Sequence, residues 1–197
     1  MPQTRDQIRD DIQRRFARIA QSPQKEQKFP CGPASAKRLG YNPDDIDALP
    51  AAVTESFAGV GNPLALGELR AGQTVLDLGS GAGFDSILAA RQVGPTGQVI
   101  GIDFSAEMID KARRNVMSLG ITNTLFTQGE ADALPVPDRS VDVLITNGVL
   151  NLCFNKPTVL AEAWRVLRPG GRLQMADILL EDQATPADVT RKGTWSD

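Results

Sequence analysis

Thr74-Val75-Leu76-Asp77-Leu78-Gly79-Ser80-Gly81-Ala82-Gly83 runs a short apolar stretch into an acid and then into three alternating glycines. Val75, Leu76 and Leu78 read as a strand covered on both faces, and a helix follows over Asp85 to Val93 with Ile87, Leu88 and Val93 on its inner side. Glycines at such a junction let the backbone turn sharply and let a ligand approach where any Cβ would intrude. A tight strand-to-helix turn also forms without a ligand, so the acid and the spacing must carry the rest of the reading.

A dinucleotide fingerprint is Gly-x-Gly-x-x-Gly, with a helix N-terminus facing a pyrophosphate. Here the order is Gly79-x-Gly81-x-Gly83, and Phe84 stands where the third glycine belongs. Asp77 is a poor neighbour for phosphates and a good one for an ammonium group, which suits a cofactor carrying an amino acid, S-adenosylmethionine. A second apolar run, Gln98-Val99-Ile100-Gly101-Ile102-Asp103, ends in a carboxylate about twenty residues beyond the loop, where an acid accepts both ribose hydroxyls. NAD enzymes use the same device, so Asp103 does not separate the two cofactors. A third run ends at Glu130-Ala131-Asp132, near the expected adenine edge. Each acid alone is an ordinary strand end or cap, and their placement after successive strands is what points to a site.

These segments resemble the class I S-adenosylmethionine-dependent methyltransferases. Asp77 to Gly83 matches the first motif of that family, Gly101-Ile102-Asp103 its second-strand acid, and Val141 to Asn147 its fourth strand. Leu167-Arg168-Pro169-Gly170-Gly171-Arg172-Leu173 matches the turn into its fifth. Within the superfamily the chain is most similar to arsenite methyltransferases, through Gly59-Val60-Gly61-Asn62-Pro63, Asn147-Gly148-Val149-Leu150-Asn151-Leu152, Leu39-Gly40-Tyr41 and Leu49-Pro50. That resemblance implies cysteine ligands for a soft, thiophilic arsenic centre. Two of the family's cysteine positions are Val60 and Gly148 in this chain, and a third would follow Trp195, where the sequence stops at Asp197. Cys31 and Cys153 do not match ligand positions. Fold and cofactor carry over from the resemblance, and arsenic as the acceptor does not.

With 41% hydrophobic residues, a formal net charge of -3 and no run long enough to span a bilayer, the 197-residue chain reads as a cytoplasmic protein without a membrane partner. The two cysteines have neither disulfide nor metal-ligand spacing, so no metal site is expected. The charged N-terminus lacks the apolar core of a signal sequence. Mild acidity without a basic patch argues against a nucleic-acid partner, and the resemblance implies a small-molecule methyl acceptor.

The first sixty residues, 1–60, read as a helical cap and linker, and 61–197 as the cofactor-binding domain. Ile8, Ile12, Phe16 and Ile19 predict an amphipathic helix over Gln7 to Ala20, either docked on the surface or closing over the cofactor. Gln21 to Pro33 reads as a linker broken by prolines, and Asp44 to Leu49 and Pro50 to Phe57 as short helices, Pro50 suiting a first turn. Strands are expected at Thr74–Leu78, Gln98–Asp103, Thr124–Thr127, Val141–Thr146 and Arg172–Leu180. Helices are expected at Asp85–Val93, Ala106–Leu119 and Lys156–Leu167. The fold class is α/β: a Rossmann-like, mostly parallel sheet with helices on both faces, short of the last two of the seven strands that the resemblance implies. The apolar segment Leu173 to Leu180 would then lie at a sheet edge, a route to self-association, and the chain reads as C-terminally shortened or as covered there by another chain.

For roles, the resemblance and the spacing together assign Asp77 to the methionine amino group, through solvent or backbone. Gly79, Ser80, Gly81 and Gly83 line the methionine and ribose portions, and Asp103 takes the ribose hydroxyls. Phe104 and Met108 flank adenine, Glu130 and Ala131 meet its edge, and Asn147, Gly148 and Leu150 line the transfer channel. No catalytic residue is singled out. The chain has no histidine, so an alcohol or amine acceptor would need Asp, Glu or Tyr41 as its base. Two other readings stand beside arsenite-type methyl transfer: a carbon or oxygen methyltransferase of the quinone-biosynthesis type, and a cofactor-binding module without catalysis.

Overall fold

The computed structural model describes residues 4–26 and 29–179. Its centre is a five-stranded, all-parallel sheet in the order β3-β2-β1-β4-β5, built from β1 (Thr74–Leu78), β2 (Gln98–Asp103), β3 (Thr124–Gln128), β4 (Val141–Asn147) and β5 (Leu167–Ala176). β1 is central and buried on both faces, as its unbroken apolar run requires. The strand order reverses at β1, so the connections leaving β1 and β4 diverge and open a crevice at the strands' carboxyl ends.

One long helix, α1 (Arg5–Gln21), and three short ones, α2 (Pro33–Arg38), α3 (Pro43–Asp47) and α4 (Ala51–Thr54), precede the sheet. The crossovers are α5 (Phe84–Val93), α6 (Ala106–Ser118) and α7 (Lys156–Val166). Local chemistry sets their starts. Thr4 and Gln7 form a reciprocal capping box on α1, Ser105 accepts from the Met108 amide at the head of α6, and Asn155 accepts from the Thr158 amide at the head of α7. One core cluster joins Tyr41, Ile46, Val53 and Phe57 of the N-terminal segment to Phe84 and Ile87 of α5 and Ile109 of α6. Tyr41, Phe57 and Phe84 pack there as an aromatic trio, with centroids 4.7–5.4 Å apart.

Strands one to four agree with the sequence pattern to within a residue. The fifth differs. Its pairing opens at Leu167 opposite Val141, breaks, and resumes at Arg172 opposite Val143, so Arg168–Gly171 bulge from the ladder where Gly170 takes φ +81. Its described end is Ala176; the expected Leu180 lies outside the described residues. The segment read as a linker carries the end of α1, a 3-10 turn at Pro23–Lys25 and, from Pro33, α2. Pro50 caps α4 from outside rather than entering its first turn. Among the described residues no helix is long and apolar enough to cross a membrane.

Candidate active site

The glycine segment after β1 is tied to β2 by its own backbone. Gly79 and Ser80 amides donate to the Ile102 carbonyl at 2.7 and 3.0 Å, and the Gly81 amide donates to the Asp103 carboxylate at 2.8 Å. Gly79, Gly81 and Gly83 all have positive φ, and a Cβ on Gly79 would collide with Val149. From below, Asn115 of α6 donates to the Ala82 carbonyl at 2.9 Å. The loop therefore holds its shape through hydrogen bonds that need no ligand.

Above it lies a cavity of about 380 Å³. Its wall includes Gly79, Ser80, Gly81, Asp103, Phe104 and Met108, and continues through Glu130, Ala131, Asn147 and Gly148. Asp103 is 7% exposed and also accepts from the Ser105 amide at 2.9 Å; burial pushes its carboxyl up to about 6 against these two stabilising donors. Ser80 lines the cavity, and its buried Oγ has no hydrogen-bond partner.

α1 forms the outer side. Arg9, Ile12 and Phe16 line the cavity, Phe16 meets Phe104 edge to face at 6.1 Å, and Arg9 pairs with Glu130 across the opening. The end of α1 is held by side chains. Buried Lys111 donates to the Ala20 carbonyl at 3.1 Å, to Ser56 at 2.9 Å and to Glu55 at 2.6 Å, while Ser56 donates to the Ile19 carbonyl at 2.9 Å. A cation at a helix C-terminus satisfies carbonyls that have no partner within the helix and favours the dipole.

Asn147, at the end of β4, holds the segment before β1 in place. Its Oδ1 accepts from the Val60 and Gly61 amides at 2.8 and 3.1 Å, and its Nδ2 donates to the Gly61 carbonyl at 2.9 Å. Nδ2 also lies within reach of the Tyr41 hydroxyl and of Asp85, at 3.1 and 3.2 Å. Tyr41 donates to Asp85 at 2.6 Å.

Three sequence assignments sit elsewhere than the cavity wall. Gly83 caps the head of α5 and faces Phe126 and Ala112 rather than the cavity. Asp77 is 2% exposed and lies behind the glycine loop, where it accepts from Ser86 Oγ at 2.6 Å. Burial, and then the neighbouring Asp85, hold its carboxyl well above the usual range. Leu150 packs in the apolar cluster beneath β4, while Val149 and Leu152 reach the cavity. Cys153 lies on the wall with its thiol pushed up to about 11 by burial. Burial and Asp85 also raise the Tyr41 phenol, whose proton is donated to Asp85. Sequence reading missed Asp85, Phe16, Arg9 and Lys111. The only prior signal was the apolar stripe of α1, which marked Phe16 as facing inward.

A parallel sheet ordered 3-2-1-4-5, with a glycine loop leaving its central strand and an acid closing the next, defines the Rossmann-like class I methyltransferases. A family model described as a methyltransferase domain matches residues 69–196. The chain belongs to that family. It is 47% identical over 156 residues to an arsenite methyltransferase of Halobacterium salinarum, covering 79% of this chain and 39% of that protein. A ubiquinone/menaquinone biosynthesis C-methyltransferase of Enterobacter sp. is 38% identical over 106 residues, 53% of this chain and 42% of that one. Among solved structures, an arsenic (III) S-adenosylmethionine methyltransferase from Chlamydomonas reinhardtii superimposes with a TM-score of 0.62 at 38% identity, covering 66% of this chain and 46% of that chain. The chain thus spans about four tenths of the length of these curated relatives.

Proposed function

We propose that this chain binds S-adenosylmethionine in the cavity above the glycine loop and transfers its methyl group to a small molecule. The observation that carries the reading is the cavity floor itself: a glycine loop fixed by β2, the Asp103 carboxylate beside it, and a buried Ser80 hydroxyl without a partner. These groups fit the cofactor's chemistry, and a volume of about 380 Å³ falls within the range of small-molecule sites. Gly79, Ser80 and Gly81 would hold the methionine and ribose portions, with Asp103 on the ribose hydroxyls and Gly83 shaping the turn into α5. Phe104 and Met108 would flank adenine, with Glu130 and Ala131 at its edge. Asn147 and Gly148 would border the acceptor.

When bound, the cofactor supplies a methyl group already activated by the sulfonium charge. What remains for the chain is to align the acceptor and to exclude water. Ile12 and Phe16 cover the outer side, and the Asn147 bridge holds the 59–63 segment against the end of β4. An acceptor that attacks through a free lone pair needs no base, in keeping with a chain without histidine and with a protonated Tyr41.

One contact favours an organic acceptor over arsenite. Val60 and Gly148, the positions where the arsenite enzymes carry cysteines, lie side by side: a Cβ on Gly148 would come 3.2 Å from Val60 Cγ1. An isopropyl group and a bare backbone present no soft ligand to arsenic. Calorimetric titration with S-adenosylmethionine, followed by reduced arsenite, tests the proposal. Cofactor binding without saturable arsenite binding supports organic methyl transfer, and saturable arsenite binding restores arsenic as the acceptor. Binding without turnover on any acceptor makes the chain a cofactor-binding module, and no cofactor binding overturns the reading.

A further inference from the structure

The chain places two carboxylates next to one another at the base of the cofactor cavity, Asp77 and Asp85, and only one of them faces it. Asp77, at the end of β1, is withdrawn behind the glycine loop and satisfied by Ser86. Asp85, in the first turn of α5, lines the cavity together with Gly59, Gly79 and Asn147. Its two partners, the Tyr41 hydroxyl and the Asn147 carboxamide, are neutral donors. Two donors leave acceptor positions on the carboxylate open. Among the described residues no lysine or arginine pairs with Asp85. Of the other acids on the wall, which include Asp6 and Asp132, Asp103 accepts two backbone amides and Glu130 is paired with Arg9.

Resting on the cofactor reading above, we propose that Asp85, held by Tyr41 and Asn147, is the anion that receives the ammonium group at the amino-acid end of the cofactor. A buried carboxylate flanked only by neutral donors lacks a counter-charge, and a ligand cation supplies one. The head of α5 favours the ionised form through its dipole, while burial opposes it and lifts the carboxyl to about 6. An ammonium ligand would therefore be bound together with the ionised acid. Asp85 then acts as the discriminating contact: it accepts a cofactor with a free amino group and rejects one in which that group is missing. Tyr41 and Asn147 are positioning residues, since each donates a hydrogen bond to the carboxylate and fixes its orientation, Asn147 from the cavity wall and Tyr41 from behind it.

The test compares S-adenosylhomocysteine with its deaminated analogue, in which the amino group is replaced by hydrogen and the carboxylate is kept, by calorimetry on the parent and on Asp85→Asn. The parent should bind the deaminated compound about 30-fold more weakly, the scale of a lost charge-assisted hydrogen bond. Asp85→Asn should bind both compounds about equally, at the parent's affinity for the deaminated one. A variant that keeps the parent's discrimination overturns the assignment, and so does a parent that binds both compounds alike. The parent comparison stands even where the variant does not fold. A parent that binds neither S-adenosylhomocysteine nor S-adenosylmethionine defeats the cofactor reading itself, a result distinct from loss of discrimination.

Discussion

The two walls of the cavity are built on different principles. The inner wall, Gly79 to Gly83 against the end of β2, is fixed by backbone amides and one carboxylate within the buried sheet. The outer wall, α1, touches the rest of the molecule through side chains: the Phe16–Phe104 edge contact, the exposed Arg9–Glu130 pair and the Lys111 clasp at its end. The floor is thus preorganised by backbone hydrogen bonds, while the cover depends on side-chain contacts spread along α1, which are the more easily broken of the two.

The sharpest way to break this contrast is to deform the floor. Gly79→Ala places a Cβ against Val149 at φ +76, and overpacking plus left-handed strain should cost roughly 2–5 kcal/mol. A lowered denaturant midpoint and lost cofactor binding are expected, and unchanged stability would show that the loop yields easily. Asp103→Ala follows, with cofactor affinity down about 100-fold by calorimetry, since both a ligand contact and the acceptor for the Gly81 amide are removed. Binding within threefold of the parent would sink the ribose assignment.

The same carboxylate leaves a pH signature. Its folded-state value lies near 6, above its ordinary 3.8, so between those limits the folded chain keeps a proton that the unfolded chain has released. Ionising Asp103 therefore costs stability as pH rises through that window. Asp103→Asn should gain on the parent in denaturation midpoints measured from pH 4 to pH 7, and a constant difference would contradict a raised carboxyl.

The cover should respond more weakly. Lys111→Ala strips the Ala20 carbonyl and Glu55 of their shared donor and should cost about 1–3 kcal/mol, with faster amide exchange in α1 than in the sheet. Equal acceleration in β1 would mean that α1 and the sheet open together. Smallest of all, Arg9→Ala removes an exposed ion pair worth at most about 1 kcal/mol, visible as faster cofactor release and little change in the denaturation midpoint.

The floor was far more legible in sequence than the cover. Alternating glycines, an apolar strand and an acid at a fixed distance are local signals, and β1, β2 and the positions of Asp103 and the glycines follow from them. The stripe on α1 announced a buried face, but not what it covers, because that depends on contacts across many residues. Lys111 carries no sign of its burial: on a polar helix a lysine reads as solvated, and only the nearby end of α1 draws it inside. Asp77 and Asp85 illustrate the same limit. Both precede or follow the glycines at plausible spacing, and only the fold decides which carboxylate meets the cavity. The break in β5 escaped notice because Arg168–Gly171 looks like a turn before a strand, whereas Leu167 already pairs with Val141.

The Asn147 bridge has a consequence for how the molecule assembles. Its hydrogen bonds reach Val60, 87 positions earlier, and the Tyr41 hydroxyl, 106 positions earlier. Contacts so distant along the chain close large loops and form only after the intervening strands have found their places. The wall that Asn147 supports is thus tied to the completed sheet, and the activity proposed for the cavity is expected only of chains in which these long-range contacts have formed.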